Sequence, residues 1–190
     1  MKTFGKAIAT LVAVMILVGA GMAAFAPVTE VSAAGLERYG GPNRGTGASV
    51  GMQGSGLLLT PLTAAETTAL QEAILEEYGA LNLYQAVIGQ FGAVYPFSRI
   101  VLAEQIHVNA LVRQAVKYGV EVPANPGLVV DVTFATLADA CAAGVQAEIV
   151  DAALYDDLKL VTTHADLLRV YTQLQSASLN QHLPAFESCP

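Results

Sequence analysis

Six residues have types and spacings suited to holding metal. Glu104 and His107 stand three apart in AEQIH (103–107), and Glu148 and Asp151 stand three apart in AEIVD (147–151). Three residues is close to one helical turn, so both members of each pair can reach one point. Glu77 and His182 lie on two further amphipathic segments. Each of the six interrupts an apolar stripe with alternating spacings of three and four, the pattern of a buried helix face. The stripes run Leu70, Ile74, Glu77, Leu81, Tyr84, Ile88; then Phe97, Ile100, Val101, Glu104, His107, Val108, Leu111. They continue as Leu137, Cys141, Gly144, Glu148, Asp151, Tyr155, Leu158, and Leu168, Tyr171, Gln175, Ser178, His182, Ala185. A buried, unpartnered carboxylate is costly, and more so when carboxylates crowd together. No Lys or Arg lies on these stripes to offset Glu77, Glu104, Glu148 and Asp151. Divalent cations would resolve the conflict. Carboxylates with imidazoles suit iron, manganese or zinc, and four carboxylates with two histidines suit two such ions.

Taken singly, each residue has an ordinary reading, since a lone His in a stripe is commonly a core histidine with a backbone or carboxylate partner. The coincidence at matching depth on four stripes is what points to a shared site. Glu76 and Asp156 read as solvated neighbours, and His164 as a surface residue of a first turn. Tyr84, Tyr155 and Tyr171 read as core filling, with Tyr84 the best placed to hydrogen-bond a ligating carboxylate.

The elements that must position these groups are helical. Thr63 with Glu66 forms a capping box that starts a helix over 64–90. Pro96 suits the first turn of a second helix, 95–118, which Gly119 stops. Two prolines and a glycine make 119–132 a long loop. A third helix fits 134–160, with a break near Gly144. Thr163 and Asp166 signal the start of a fourth, 164–186, which Pro184 kinks or frays at its end. No strand run appears. The expected fold is all-α, an antiparallel four-helix bundle with a long connection between helices 2 and 3.

The first 33 residues read differently. Lys2 and Lys6 precede a long apolar stretch, and small residues follow it, as in a secretory signal cut after Ala33 or Ala34. Left uncut, the stretch is long enough to anchor the chain in a bilayer. Residues 34–61 are Gly-rich, with eight glycines in 35–57, and read as a flexible linker to a domain over 62–190. Export to the cell surface, periplasm or exterior is the expectation. Without residues 1–33, 7 basic residues face 15 acidic ones, a net charge of −8 that argues against nucleic-acid binding. An exported chain with two cysteines permits a Cys141–Cys189 disulfide, the alternative being a buried Cys141 and a free Cys189.

The pieces EEYGALNLY (76–84), AEQIH (103–107), AEIVDAALYDDL (147–158) and LNQHLPAF (179–186) resemble the ferritin-like superfamily, the dimetal four-helix bundles that include rubrerythrin and bacterioferritin. More narrowly, the chain resembles an exported prokaryotic ferritin-like domain family of unknown function. The resemblance covers residues 60–187 and implies Glu77, Glu104, His107, Glu148 and His182 as ligands to two ions, with iron expected and manganese or zinc as alternatives. It implies action on oxygen, peroxide or ferrous iron, a di-iron-type oxidoreductase chemistry, and it allows a homodimer. Leu179 departs from the pattern, standing where the superfamily has Glu, and Asp151 is the candidate to make up for it. The competing expectation is a non-catalytic exported helical module for partner binding or metal capture, its metal structural or absent.

Overall fold

The computed structural model describes residues 59–128 and 131–189. The expected signal, 1–33, and all but the last residues of the expected linker, 34–61, lie outside them. Four elements form much where the pattern puts them. Helix α1 spans Ala64–Phe91, α2 Phe97–Tyr118, α3 Leu137–Leu160 and α4 Ala165–Ala177. A π-helical turn, Ser178–His182, then leads into a short α5, Leu183–Glu187. The fold is all-α, and no strand occurs among the described residues. No helix among them is long and apolar enough to cross a membrane.

Local chemistry sets the ends. Thr63 caps α1 as expected: its hydroxyl accepts from the Glu66 N–H, while the Glu66 carboxylate accepts from the Thr63 N–H. A second box, Thr136 with Asp139, starts α3 three residues later than expected and lengthens the connecting loop. Gly119 ends α2 in the left-handed conformation. The expected break at Gly144 does not occur. That glycine instead admits the Phe186 ring, which a Cβ there would meet at 2.6–2.8 Å. Thr163 and Asp166 do not cap α4. Thr163 donates to Glu66, and Asp166 accepts from Lys117 and Tyr118, so both tie helices together.

The fourth expected helix is interrupted at the site. Pro184 has no N–H to give to the carbonyl four residues back. The turn before it widens, and the Leu183 N–H reaches back five residues to the Ser178 carbonyl. The buried face of α4, the π turn and α5 is Leu167, Tyr171, Leu174, Ser178, His182 and Phe186, rather than the expected Leu168, Tyr171, Gln175, Ser178, His182 and Ala185.

Helix α1 packs on α2 and α3, α3 packs on α4 and on the C-terminal segment, and α2 touches α4. The packing forms two apolar clusters. One gathers Leu70, Ile74, Leu111, Leu158, Leu167 and Tyr171; the other gathers Leu83, Tyr84, Phe97, Ile100, Ala147 and Phe186. On every helical strand of the fold the polar residues fall between these two: Glu77 on α1, Glu104 and His107 on α2, Glu148 and Asp151 on α3, and Ser178 and His182 on the π turn. A disulfide joins Cys141 on α3 to Cys189 and holds the C-terminal segment against that helix.

Candidate metal centre

The polar layer resolves into two triads that share one carboxylate. Glu77, Glu104 and His107 form the first, and Glu104, Glu148 and His182 the second, with the ligand atoms of each within 4.8 Å of one another. All five residues are buried. His107 Nδ1 lies 3.2 Å from Glu77 Oε2 and 3.0 Å from Glu104 Oε2. His182 Nδ1 lies 3.0 Å from Glu104 Oε1 and 3.3 Å from Glu148 Oε2. Glu104 therefore turns one oxygen to each histidine. The two rings stack with centroids 5.3 Å apart.

Two tyrosines brace the outer carboxylates. The Tyr84 hydroxyl donates to Glu148 Oε1 at 2.5 Å, and the Tyr155 hydroxyl donates to Glu77 Oε1 at 2.5 Å. Each tyrosine holds the carboxylate of the opposite helix and leaves that group's other oxygen toward a histidine. Tyr84 makes the bond that its place on the stripe favours, and Tyr155, expected as core filling, makes the matching one. A signal was present: Glu-x6-Tyr occurs twice, as Glu77–Tyr84 and Glu148–Tyr155. Tyr171, by contrast, packs against Tyr155 and leaves its buried hydroxyl without a partner.

Asp151, the sixth expected ligand, falls outside both triads. It is buried, and its Oδ2 accepts from the Ser178 hydroxyl at 2.5 Å. Leu179, where the resemblance leads one to expect Glu, is 42% exposed, while Ser178 and His182 of the same π turn are buried. Glu76 is not a solvated neighbour: it is buried, 8% exposed. Asp156 is exposed and pairs with Lys159. His164 is not a free surface group either, since Nδ1 meets Glu66 Oε1 at 2.7 Å and Nε2 meets the Thr60 carbonyl at 3.1 Å.

The electrostatics of the layer are unbalanced. Burial pushes the Glu77 carboxyl up to about 8 despite the nearby His107. Burial also raises Glu148, against the pull of His182. Burial disfavours charge on Glu104 too, but His107 and His182 on its two sides hold it below the ordinary value. Burial would neutralise the histidines; instead Glu104 and Glu77 push His107 up to about 10, and Glu104 and Glu148 push His182 up to about 9. The protons on the two rings thus stand in for missing positive charge, and no Lys or Arg is buried among the described residues. Glu104 Oε1 is buried and makes no hydrogen bond although His182 Nδ1 is 3.0 Å away, so its lone pairs are free for an ion. Two buried triads of two oxygens and one nitrogen can hold metal ions, and this mixed donor set suits first-row divalent metals.

No protein-family model matches the chain, and no curated protein matches it. Among solved structures, the crystal structure of a hypothetical protein from Methanococcus jannaschii DSM 2661 is similar, with a TM-score of 0.59 at 24% identity, over 70% of this chain and 83% of that one. A likeness at that identity speaks to the fold alone: the all-helical arrangement recurs in an archaeal chain.

Proposed function

We propose that this chain is an exported ferritin-like protein whose antiparallel four-helix bundle holds a dimetal carboxylate centre, acting on oxygen, peroxide or ferrous iron. The observation that carries the reading is Glu104, whose two oxygens serve two stacked histidines in two buried triads. The antiparallel order is supported by paired contacts. Gln71 meets Glu121 while Glu77 meets His107, and Tyr84 meets Glu148 while Tyr155 meets Glu77. On α2 and the fourth segment, Lys117 meets Asp166 while Glu104 meets His182. Export is supported by the basic and apolar start of the sequence and by the disulfide, a bond that persists in oxidising compartments.

Glu77, Glu104 and His107 would hold one ion, and Glu104, Glu148 and His182 the other, each histidine offering Nδ1. When bound, iron or manganese supplies Lewis-acid and one-electron chemistry toward a small oxidant. The chain's own residues do the rest. Tyr84 and Tyr155 fix the orientation of Glu148 and Glu77, so that neither carboxylate must be reoriented for loading. The apolar clusters on either side exclude bulk water and strengthen every charge interaction between them.

The test is reconstitution of the metal-free full chain with ferrous iron under argon, followed by elemental analysis. At least two ions per chain are expected in the wild type, with a loss of both shared-centre ions in Glu104→Ala. An unchanged metal content in that variant would sink the reading. Peroxide added to the loaded protein then separates oxidation, seen as an absorbance change, from metal capture alone. N-terminal sequencing of the exported protein should begin at Ala34 or Gly35.

A further inference from the structure

The segment that presents His182 to the second triad has few holds of its own. Helix α5 has five residues, Leu183–Glu187, and Phe186 is its single buried side chain. Among the described residues, the hydrogen bonds of 183–189 stay within the segment or the π turn before it. The Ser188 N–H donates to the Pro184 carbonyl, the Cys189 N–H to the Phe186 carbonyl and the Ser188 hydroxyl to the Ala185 carbonyl. None of these ties the segment to another helix. A helix this short does not persist in water by itself, and a chain end frays unless it is tied down.

What fixes it lies on α3, in three successive contacts. Cys189 is bonded to Cys141, and the Phe186 ring sits over Gly144, where a Cβ would meet it at 2.6–2.8 Å. His182 Nδ1 lies 3.3 Å from Glu148 Oε2. Counted from the cysteines, each side steps three residues and then four: 141, 144, 148 on α3 and 189, 186, 182 on the returning segment. That stepping keeps to one helix face, so the disulfide, the ring and the ligand pair share a single seam. The disulfide closes the end of the seam, and the ligand pair stands about two helical turns further in. The other triad does not depend on this seam. Its ligands come from α1 and α2, helices of 28 and 22 residues, and its brace Tyr155 comes from α3.

We propose that the Cys141–Cys189 disulfide is a redox latch on the second ion site. Its formation fixes His182 beside Glu104 and Glu148, and a chain with both cysteines as thiols holds only the first ion tightly. The proposal rests on the dimetal and export readings given above. Closing the latch is a thiol–disulfide exchange with a partner that carries a disulfide. Cys189 is half-buried and Cys141 is buried, so the Cys189 thiolate attacks first, one partner sulfur leaves as a thiolate, and a mixed disulfide forms. The Cys141 thiolate then attacks Cys189 Sγ and expels the second partner sulfur. The partner leaves as a dithiol, with the two electrons and two protons that the cysteines have lost. Reducing compartments keep such pairs as thiols, so the chain completes its second site only after export.

Manganese is the probe, because free Mn2+ is counted by its EPR signal and, as a hard ion, it is not drawn to freed thiolates. The metal-free full chain is titrated with Mn2+ before and after opening of the disulfide with a water-soluble phosphine, which is then removed. The oxidised chain should bind two ions. In the reduced chain the second ion should bind roughly 10- to 100-fold more weakly, the usual loss when a group that orients a ligand is removed, with the first unchanged. Oxidised glutathione should restore it. Cys141→Ser combined with Cys189→Ser should bind as the reduced wild type does and ignore the phosphine. His182→Ala should lose the same ion, and reducing that variant should leave its remaining ion unaffected. Two ions held equally tightly with the disulfide open would overturn the latch and leave the shared centre standing. Equal weakening of both ions would also overturn it, marking the bond as a fastener of the whole fold. An oxidised chain that binds no ion would overturn the centre, and the latch with it.

Discussion

Two Glu–His clusters in this molecule look alike in composition and differ in how their lone pairs are used. At the start of α1, Glu66 is fully buried beside His164. Its Oε2 accepts from the Thr63 N–H and hydroxyl, and its Oε1 accepts from the Thr163 N–H and hydroxyl and from the His164 N–H, with the His164 ring 2.7 Å away. At mid-molecule, Glu104 is as deeply buried and has histidines at 3.0 Å on both sides, yet its Oε1 makes no hydrogen bond. Glu66 is complete as it stands and works as a fastener between α1 and the α3–α4 turn. Glu104 is matched in charge by the two histidines, yet its Oε1 accepts no hydrogen bond. Burial of a carboxylate beside a histidine therefore does not mark a metal site. What sets Glu104 apart is an oxygen left unpartnered inside two triads that could hold metal.

This contrast predicts different consequences for each cluster. The largest effect is expected from Glu66→Ala, which strands the donors of Thr63, Thr163 and His164 at a helix junction. A loss of about 3–5 kcal/mol of unfolding free energy follows, measurable by urea denaturation in EDTA. Metal stoichiometry in the surviving folded fraction should be unchanged; a lost ion would erase the distinction between the clusters.

Next come the braces. Tyr155→Phe and Tyr84→Phe each remove one hydrogen bond to an outer carboxylate, from Glu77 and Glu148 respectively. Each should weaken metal affinity roughly 10- to 100-fold, read by competition with a chelator of known affinity. Equal losses would support a symmetric centre. A much smaller loss for Tyr84→Phe would mean that the His182 side is the looser half.

The two clusters also govern opposite arms of the pH profile. The Glu66 carboxyl is held well below its usual 4.5 because bonds from His164, Thr63 and Thr163 outweigh the upward push of burial. Its stabilisation is present above 4.5 and is lost as pH falls through the lowered folded value. At the centre Glu104 is lowered by its two histidines, but three shifts run upward: Glu77 to about 8, His182 to about 9 and His107 to about 10. Their contribution is full below the unfolded values of 4.5 and 6.5 and is lost as pH rises through about 8 to 10. The metal-free melting temperature should therefore fall at both extremes, with the alkaline fall flattened in Glu77→Gln. Loaded metal should reverse that alkaline arm, because ligands must shed protons to bind it. Calorimetry at pH 5, 7 and 9, with EDTA and with Mn2+, tests both statements.

The smallest effect concerns Leu179. Placing a carboxylate there with Leu179→Glu should change stability by no more than about 0.5 kcal/mol and leave the ion count as it was, because the position faces solvent. A gain in bound metal would show that the fourth segment can revert to a regular helical register.

Much of this was legible in the chain itself. The capping box at Thr63 and Glu66, the stop at Gly119 and the three-and-four spacing on α1, α2 and α3 are local chemistry, so four helical segments could be read from residue order, and five of the six candidate residues do converge in the two triads. The Glu104/His107 spacing was enough to put both on one face, because a helix fixes that relation within one turn. The rest depended on neighbours distant in sequence. Pro184 signalled a disturbance, but whether it would kink, fray or widen the helix was decided by what the C-terminal segment packs against: Phe186 seated on Gly144 and Cys189 bonded to Cys141. Beside that choice Leu179 stands outward, while Ser178, inward on the sequence pattern already, meets Asp151. Likewise Glu76 and Glu77 are adjacent buried carboxylates, yet only Glu77 receives a tyrosine and a histidine from other helices. Residue order determines which groups share a helix face; only the packing of one helix on another determines which of their lone pairs are left unspent.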